Sequence, residues 1–460
     1  MGDNTFTARQ LALTVLLQVQ AGAYADVALH RVLAQTSLAN QERAFATELV
    51  YGTVRRQRTL DALITQLGAR PADKQPPVLR VILQLGLYQL RFLNAVPVSA
   101  AVNTSVDLAK ANGLGKLSGV VNGLLRQYGR EVERQGDPLV LPNNAVSALG
   151  IRHSYPDWMV ALWIQQLGLD AAELLCHWFN QTPTLDLRVN RQQTTVAAVK
   201  AAFAAAGVQT TAISGVPFGL RLLDHEGALT QLPGYESGWW SVQDASAQLV
   251  GQLLDPQPGQ LVLDVCAAPG GKATHLAEIM GDRGTVWACD RTPSRLKKVI
   301  ANAQRLQLTN LHTHLGDSTD LAQFHHQADR VLVDAPCSGL GTLHRHADAR
   351  WRQTPDSIQA LVPLQSTLLA EAARCVKSGG ALVYATCTLH PAENEEIIEA
   401  FLAQHPDWVI QPPNPGFGND LGPEPEGWIQ VWPHRQQMDG FFMVKLGRRS
   451  VGEHQARIAT

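Results

Sequence analysis

The chain has 460 residues, 45% of them hydrophobic and 17% charged, which is enough for two or three globular domains with large cores. Six cysteines without regular spacing argue against a disulfide framework, and no apolar stretch approaches the ~18–20 residues of a membrane span, so we expect a cytosolic protein. Residues 1–142 carry 15 Lys and Arg against 10 Asp and Glu, a net charge of +5, whereas the remainder carries 23 against 30, a net charge of −7.

The front part of the chain, residues 5–134, shows helical periodicity throughout. Apolar residues recur three and four positions apart, as at Leu11 and Val15, and the stretch 136–144 (GDPLVLPNN) is the best candidate for a linker. We therefore predict an all-α domain at 1–142. Its excess of positive charge is typical of a surface that contacts a polyanion, although +5 over this length is also ordinary scatter.

Three arginines, Arg55, Arg56 and Arg58, lie close together in this part, on one predicted helix. They are candidates for contacts to the phosphates of a nucleic acid. A solvated basic face explains the same pattern nearly as well, so the sequence leaves both interpretations open.

Residues 151–238 mix helical and strand patterns and are predicted to form a small α+β subdomain. From residue 260 onward, short apolar runs alternate with amphipathic stretches. Such alternation predicts a mostly parallel sheet covered by helices on both faces, here an α/β domain at 239–448. The predicted strands are 261–265, 285–290, 311–315, 331–334 and 381–385, and the predicted helices are 272–280, 293–306 and 357–377.

A glycine turn, Cys266-Ala267-Ala268-Pro269-Gly270-Gly271-Lys272, follows the first of these strands and opens a helix. Glycines let the backbone approach a ligand, and a helix N-terminus offers unpaired N–H groups. The turn fits neither the dinucleotide-binding nor the P-loop pattern, and a plain tight turn is the alternative. Asp290 ends the second strand, where acids commonly bind ribose hydroxyls, and Asp317 follows the third strand, where it could meet the ligand's base. Either aspartate alone could be a cap or turn residue.

Two cysteine motifs stand at the ends of the fourth and fifth strands. Asp334 and Cys337 belong to the sequence DAPCSG, and Cys387 belongs to the sequence TCT. Adjacent parallel strands lie about 4.8 Å apart, so the two thiols could face one pocket, and a thiolate is a strong nucleophile near neutral pH. The other cysteines are interpreted as small buried hydrophobes. Zinc, with His344 and His346 as extra ligands, is disfavoured because no CxxC spacing exists, so we predict no metal site.

Together these motifs resemble the family of S-adenosylmethionine-dependent RNA cytosine-5 methyltransferases that includes the Sun, Nol1 and Nop2 proteins. The front part, with NQERAF at 40–45 and VNGLLR at 121–126, is similar to the NusB-like RNA-binding helical domain. The resemblance implies an RNA-binding domain followed by a Rossmann-like methyltransferase domain. It runs from about Trp239 to Leu446 and includes, in order, QDAS, CAAPGGK, DAPCSG, ATCT and DGFFM.

The resemblance also implies a role for each candidate residue. Cys387 would be the nucleophile, and Cys337 the second cysteine, needed to release the product. Asp334 would contact the cytosine ring, and Lys272 would orient Asp334 or the substrate. The S-adenosyl-L-methionine site would be formed by Cys266, Ala267, Ala268, Pro269, Gly270, Gly271, Lys272, Asp290, Asp317 and Asp334.

The implied substrate is a cytosine in a loop or single-stranded stretch of small-subunit ribosomal RNA, because the base has to leave its stack to reach the thiols. A transfer RNA substrate and a non-catalytic RNA-binding assembly factor stay open as alternatives. A nucleotide-dependent oxidoreductase is a third, which the absence of a GxGxxG motif disfavours. We expect a monomer that has no membrane or metal partner.

Overall fold

The structure is a computed structural model, and it describes residues 7–224, 227–418 and 421–448. The chain divides into two compact units. The first contains the described residues up to Gln181 together with Leu343–Arg352, and the second contains Thr182–Thr342 and the described residues from Gln353 onward. The predicted domain limits at 142, 151 and 238 stay predictions. None of the helices in the described ranges is long and apolar enough to cross a membrane.

The first unit is all-α, as predicted for the front of the chain. Its core consists of aliphatic side chains at helical spacing, and Leu11, Val15, Leu83 and Leu125 are all fully buried in it. The Thr7 side chain caps the N-terminus of the first helix. The helices are α1 (Ala8–Gln20), α2 (Ala25–Ala34), α3 (Asn40–Arg55), α4 (Gln57–Leu67), α5 (Pro77–Phe92), α6 (Val98–Ala111), α7 (Ser118–Gln135), α8 (Ala145–His153), α9 (Asp157–Leu167), α10 (Leu169–Trp178) and α15 (Ala349–Arg352).

Buried polar contacts anchor the segment Leu343–Arg352 in this helical unit. Arg350 is fully buried, and its guanidinium donates to the Arg55 carbonyl at 3.1 Å and to Asn180 Oδ1 at 2.9 Å. The guanidinium carbon also lies 4.2 Å from the centre of the Tyr155 ring. An acceptor left without its donor in a shielded position costs about 1–3 kcal/mol. These contacts therefore fix the segment in the helical unit, although its neighbours in sequence belong to the other unit.

The three arginines proposed as phosphate contacts do not share one helix, because α3 ends at Arg55 and Arg56 lies at the junction with α4. Arg55 Nη2 donates to the His344 carbonyl at 3.0 Å, and Arg56 lies 4.7 Å above an aromatic ring of α5. Arg58 forms an ion pair of 2.6 Å with Asp157. The prediction that the three arginines lie on one helix is therefore wrong, and each guanidinium contacts a group within the unit.

The second unit begins with a four-stranded antiparallel sheet in the order β2–β3–β1–β4. Leu187, Phe203 and Trp240 are fully buried between this sheet and α11, and the two aromatic rings meet edge to face at 5.7 Å. This is the small α+β part that the mixed sequence pattern predicts. Its elements are β1 (Leu185–Val189), α11 (Val196–Ala205), β2 (Gln209–Ile213), β3 (Val216–Asp224) and β4 (Trp240–Val242).

The larger sheet has the order β10–β12–β9–β8–β5–β6–β7, with β11 paired to β12. Strands β5 to β9 are parallel, and β12 runs antiparallel to its neighbours. Val262 packs on one face with α12 and α13, and Leu263 packs on the other with α17. The elements are α12 (Ala245–Leu254), β5 (Leu261–Asp264), α13 (Gly271–Ile279), β6 (Thr285–Asp290), α14 (Pro293–Arg305), β7 (Leu311–Leu315), β8 (Ala328–Asp334), α16 (Pro355–Gln359), α17 (Val362–Cys375), β9 (Val376–Thr386), α18 (Glu395–Gln404), β10 (Trp408–Gln411), β11 (Ile429–Val431), α19 (Pro433–Gln436) and β12 (Phe441–Arg448).

The predicted fold class, an all-α front part followed by a small α+β part and a Rossmann-like α/β part, is confirmed. One predicted helix differs: 357–377 is divided into α16 and α17, and its last residues open β9. Pro363 lies in the first turn of α17, the position at which proline favours a helix start. A new helix therefore begins where the apolar pattern alone predicts a continuous one.

The direction of strand order reverses at β5, the middle one of the five parallel strands. From β5 the chain continues to β6 and β7 on one side of it, and then returns to β8 and β9 on the other. Open α/β sheets bind ligands at the carboxyl ends of their strands, next to such a reversal. The topology therefore points to the carboxyl ends of β5, β6, β8 and β9 as the place for a functional site.

Candidate active site

The glycine turn connects β5 to α13 at this edge of the sheet. The Ala267 N–H donates to the Cys289 carbonyl at 2.9 Å, which ties the turn to β6. Gly270 has a φ of +104°, and a Cβ added there would lie 3.1 Å from the Val299 Cα, so the turn packs tightly against α14. The helix that begins at Gly271 therefore has its N–H groups at the carboxyl edge of the sheet, where they can bind an acceptor.

A cavity of about 230 Å³ lies beside this turn, and three of the predicted cofactor residues line it: Cys266, Asp290 and Asp317. Asp290 is 5% exposed and accepts a hydrogen bond of 2.7 Å from the Thr292 N–H. Asp317 is exposed, and hydrogen bonds from Thr319 hold the pKa of Asp317 below its ordinary value. The sequence did not single out the other lining residues, which are Val265, Arg291, Arg295, Ser318, Pro336, Leu361, Leu364 and Leu368.

The other predicted cofactor residues are not among those that line this cavity. Five of them form the turn beside it, and two lie with the cysteines. They are Ala267, Ala268, Pro269, Gly270 and Gly271 in the turn, and Lys272 and Asp334 with the cysteines.

The two cysteine motifs meet at the carboxyl ends of β8 and β9, which are adjacent parallel strands. Cys337 Sγ and Cys387 Sγ are 3.4 Å apart, and both residues are partly exposed. Lys272 Nζ donates to Asp334 Oδ2 at 2.7 Å and lies 5.0 Å from the centre of the Phe441 ring. The Lys272 ammonium is also close enough to Cys387 for their charges to interact. The structure thus brings all four predicted catalytic residues into one cluster.

The charges in this cluster affect Cys337 and Lys272 differently. The hydrogen bond with Cys387 and burial raise the pKa of the Cys337 thiol well above its ordinary value, and the charge of Glu393 adds to the effect. Cys337 therefore holds its proton more tightly than an ordinary cysteine does. Burial opposes the charge of Lys272, but the ion pair with Asp334 outweighs it and raises the pKa of Lys272.

Known proteins are similar to this chain over nearly all of its length. Three family models match: "16S rRNA methyltransferase RsmB/F" at 251–447, "NusB family" at 7–130 and "Methyltr_RsmF/B-like, ferredoxin-like domain" at 155–227. A probable ribosomal RNA small subunit methyltransferase B of Synechocystis sp. is 53% identical over 447 residues, which are 96% of this chain and 99% of that protein. The chain belongs to the RsmB/F family of methyltransferases.

Further relatives of this RsmB/F methyltransferase cover nearly its whole length. A probable ribosomal RNA small subunit methyltransferase B of Bacillus subtilis is 35% identical and covers 96% of the chain and 98% of itself. The crystal structure of PH0851 matches with a TM-score of 0.79 and 25% identity, covering 96% of this chain and 98% of its own. These findings confirm the predicted resemblance and the NusB-like front part, and they make the chain an enzyme of the methyltransferase class.

Asp264, the last residue of β5 in this RsmB/F methyltransferase, is close enough to Asp334 and Lys272 for their charges to act on it, and it was not among the predicted residues. It is fully buried, and a hydrogen bond from the Cys266 backbone only partly offsets the burial of its carboxylate. Burial, and after it the charge of Asp334, raise the pKa of Asp264 to about 8. The available signal was an acid that ends an apolar strand immediately before a glycine turn.

Asp264→Asn is expected to stabilise the protein at pH 8 more than at pH 4.5. A carboxyl group whose pKa rises from about 3.9 in the unfolded chain to about 8 in the folded one weakens folding as pH increases through that interval, because the unfolded chain releases the proton first. Asparagine removes this penalty. The measurement is the melting temperature of both proteins at the two pH values, with Asp320→Asn, an exposed aspartate of the same unit, as control. A change in melting temperature that is equal at both pH values would contradict the raised pKa of Asp264.

Proposed function

We propose that this enzyme transfers a methyl group from S-adenosyl-L-methionine to C5 of a cytosine in small-subunit ribosomal RNA, through a transient bond between Cys387 and C6 of the base. The observation that carries the proposal is the pair of thiols 3.4 Å apart at the ends of adjacent strands. Methyl transfer to a nucleophilic nitrogen or oxygen atom needs no such pair of thiols. C5 of cytosine is a poor nucleophile and needs covalent activation. The names of the relatives support ribosomal RNA as the substrate.

The cavity beside the glycine turn fits the nucleoside part of S-adenosyl-L-methionine. The carboxylate of Asp290 suits the ribose hydroxyls, and that of Asp317 suits donors on the base. Leu361, Leu364 and Leu368 form an apolar wall suited to the adenine ring. When bound, S-adenosyl-L-methionine supplies an electrophilic methyl group. The glycine turn, in this proposal, holds the remainder of the molecule near the cysteines.

In the proposed reaction the Cys387 thiolate adds to C6 of the cytosine, and the electron pair of the C5–C6 double bond makes C5 nucleophilic. C5 would then receive the methyl group, and the sulfur that carried it would keep the bonding electron pair and leave as S-adenosyl-L-homocysteine. Loss of the C5 proton restores the double bond and expels Cys387 as a thiolate. Asp334 contacts N3 and the exocyclic amine of the base in this scheme, and Lys272 orients Asp334 through their 2.7 Å ion pair.

Cys337 acts in the last part of the reaction, when the C5 proton leaves and the bond to Cys387 breaks. It can do so as the base or by positioning a water molecule. Its raised pKa means that the thiol gives up its proton less readily, which favours positioning of a water molecule over direct action as a base. The distance of 3.4 Å to Cys387 Sγ places this thiol beside the atom that must depart.

The target base must leave its stack to reach the two thiols, at a cost of a few kcal/mol that is smallest in a loop or single strand. We therefore infer a single-stranded or loop cytosine as the target, and assign the RNA-binding function to the NusB-like part, residues 1–142. Residues 151–238 and 239–448 are the subdomain and the catalytic domain of this proposal. A monomer in the cytoplasm is the form that we expect.

Transfer of labelled methyl from S-adenosyl-L-methionine to unmodified small-subunit ribosomal RNA tests this function. Product nucleosides are identified by mass spectrometry, and transfer RNA is assayed in parallel. We expect 5-methylcytidine in the ribosomal RNA. If only transfer RNA were methylated, ribosomal RNA would be wrong as the substrate, but cytosine-5 methylation would remain the reaction. If neither RNA were methylated, a non-catalytic RNA-binding role would be favoured.

A further inference from the structure

Glu393 is a fully buried carboxylate that joins the loops carrying the two reactive cysteines. Its Oε1 accepts from the Ser338 N–H at 2.8 Å and from Gln365 Nε2 at 3.0 Å. Its Oε2 accepts from Thr388 Oγ1 at 3.1 Å and from the Ser338 hydroxyl. Ser338 follows Cys337 in the chain and Thr388 follows Cys387, so one carboxylate holds the residue next to each thiol.

The contacts around Glu393 extend to the residues before the two cysteines. Gln365, one of its donors, also donates to the carbonyl of Pro336 at 2.9 Å. Asn394, the residue after Glu393, donates to the Thr388 carbonyl at 3.1 Å and accepts from Thr386 Oγ1 at 2.5 Å. The residues before and after each cysteine are therefore held by hydrogen bonds from side chains that are almost completely buried.

A buried carboxylate is costly unless its oxygens are satisfied, and here each oxygen accepts two hydrogen bonds. Ser338 Oγ and Thr388 Oγ1 are also 2.7 Å apart, so either hydroxyl can donate to the other in place of Glu393. A fully satisfied buried network of this kind is rigid and specifies one arrangement. The arrangement that it specifies is the 3.4 Å separation of the two sulfur atoms.

We propose that Glu393 is a positioning residue that fixes the two cysteine loops against each other and so keeps Cys337 beside Cys387 during product release. The proposal rests on the proposed function for its catalytic part, and on the hydrogen bonds alone for its geometric part. Its carboxylate is fully buried and contacts protein donors. It acts through Ser338 and Thr388.

Glu393→Gln tests the proposal, because it keeps the shape of the side chain while an NH₂ group replaces one acceptor oxygen and opposes the donors that face it. Displacement of reacting groups by about 1 Å can cost on the order of 10²-fold in rate. We expect the turnover of methyl transfer to fall by about that factor, with the affinity for S-adenosyl-L-methionine unchanged.

A second readout follows the thiols directly and requires no RNA. Diamide accepts two electrons and two protons when it oxidises a pair of thiols to a disulfide, and the Cys337–Cys387 peptide pair can be followed by mass spectrometry after digestion. Two thiols that are already 3.4 Å apart need little movement to form the bond, so we expect rapid oxidation in the wild type. We expect the rate of disulfide formation to fall at least about tenfold in Glu393→Gln, because the two thiols are no longer held in alignment.

The matched control is Glu371→Gln, since Glu371 is a buried glutamate of the same unit that accepts a hydrogen bond of 2.8 Å from the Leu321 N–H. This variant shows how the same substitution of a buried glutamate affects the two rates when it lies away from the cysteines. It should keep both the disulfide rate and turnover. If Glu393→Gln fails to fold, Thr388→Val removes one donor while keeping the shape, and it should lower both rates in the same direction.

Wild-type disulfide and turnover rates in a folded Glu393→Gln or Thr388→Val protein would overturn the proposal. An equal loss in Glu371→Gln would also overturn it, because the effect would then be one of general stability. Disulfide formation that is slower in Glu393→Gln would support the positioning role even if the wild type transferred no methyl group. The absence of methyl transfer by the wild type would contradict the proposed function alone.

Discussion

Cys387→Ala is expected to abolish methyl transfer, with a loss of at least about 10³-fold, because without the thiolate C5 of the base is not activated. Binding of RNA and of S-adenosyl-L-methionine should change little, since alanine removes one sulfur atom from a partly exposed position. The loss should therefore appear in turnover rather than in the apparent affinities. Single-turnover transfer of labelled methyl, with binding measured separately, checks this result.

The control for Cys387→Ala is Cys375→Ala. Cys375 is fully buried at the end of α17, outside the cluster of catalytic residues, and burial raises the pKa of its thiol to about 12. This variant should keep turnover and lose only some stability. A Cys387→Ala enzyme that kept a tenth of wild-type turnover would contradict the assignment of the nucleophile.

Cys337→Ala is expected to trap the reaction after the bond to Cys387 has formed. The Cys387 sulfur can still add to C6, but the neighbouring thiol 3.4 Å away is no longer present to assist loss of the C5 proton and departure of Cys387. A covalent protein–RNA complex should accumulate, and turnover should fall with it. Electrophoresis under denaturing conditions with labelled RNA measures the complex.

The double variant Cys337→Ala/Cys387→Ala is the control for this trap, and it should form no covalent complex. Normal RNA binding by Cys337→Ala without any complex would rule out the proposed division of roles between the two thiols. Complex formation by the double variant would place the covalent bond on another residue.

The general form of the α/β unit was predictable because its signals are local. Strands such as Leu261–Asp264 and Thr285–Asp290 are short apolar runs, and each ends at an acid or a turn. Strand ends in a parallel sheet meet at one edge, which is why Cys337 and Cys387 could be placed together from sequence. The 3.4 Å contact follows from the pairing of β8 with β9.

Residues whose role depends on distant partners were not predictable. Glu393 lies 55 residues from Ser338 in the chain, and its sequence context is only that of a polar turn. Asp264 gains its raised pKa from burial, which a sequence pattern does not report. The segment Leu343–Arg352 follows a catalytic motif, yet the contacts of Arg350 place it in the helical unit.

The most direct test of the central claim is the location of the covalent bond in the complex trapped by Cys337→Ala. Digestion of protein and RNA, followed by tandem mass spectrometry, identifies the peptide that carries the nucleotide. We expect a modified cytidine on the peptide containing Cys387, joined through sulfur. A nucleotide on any other residue would contradict it.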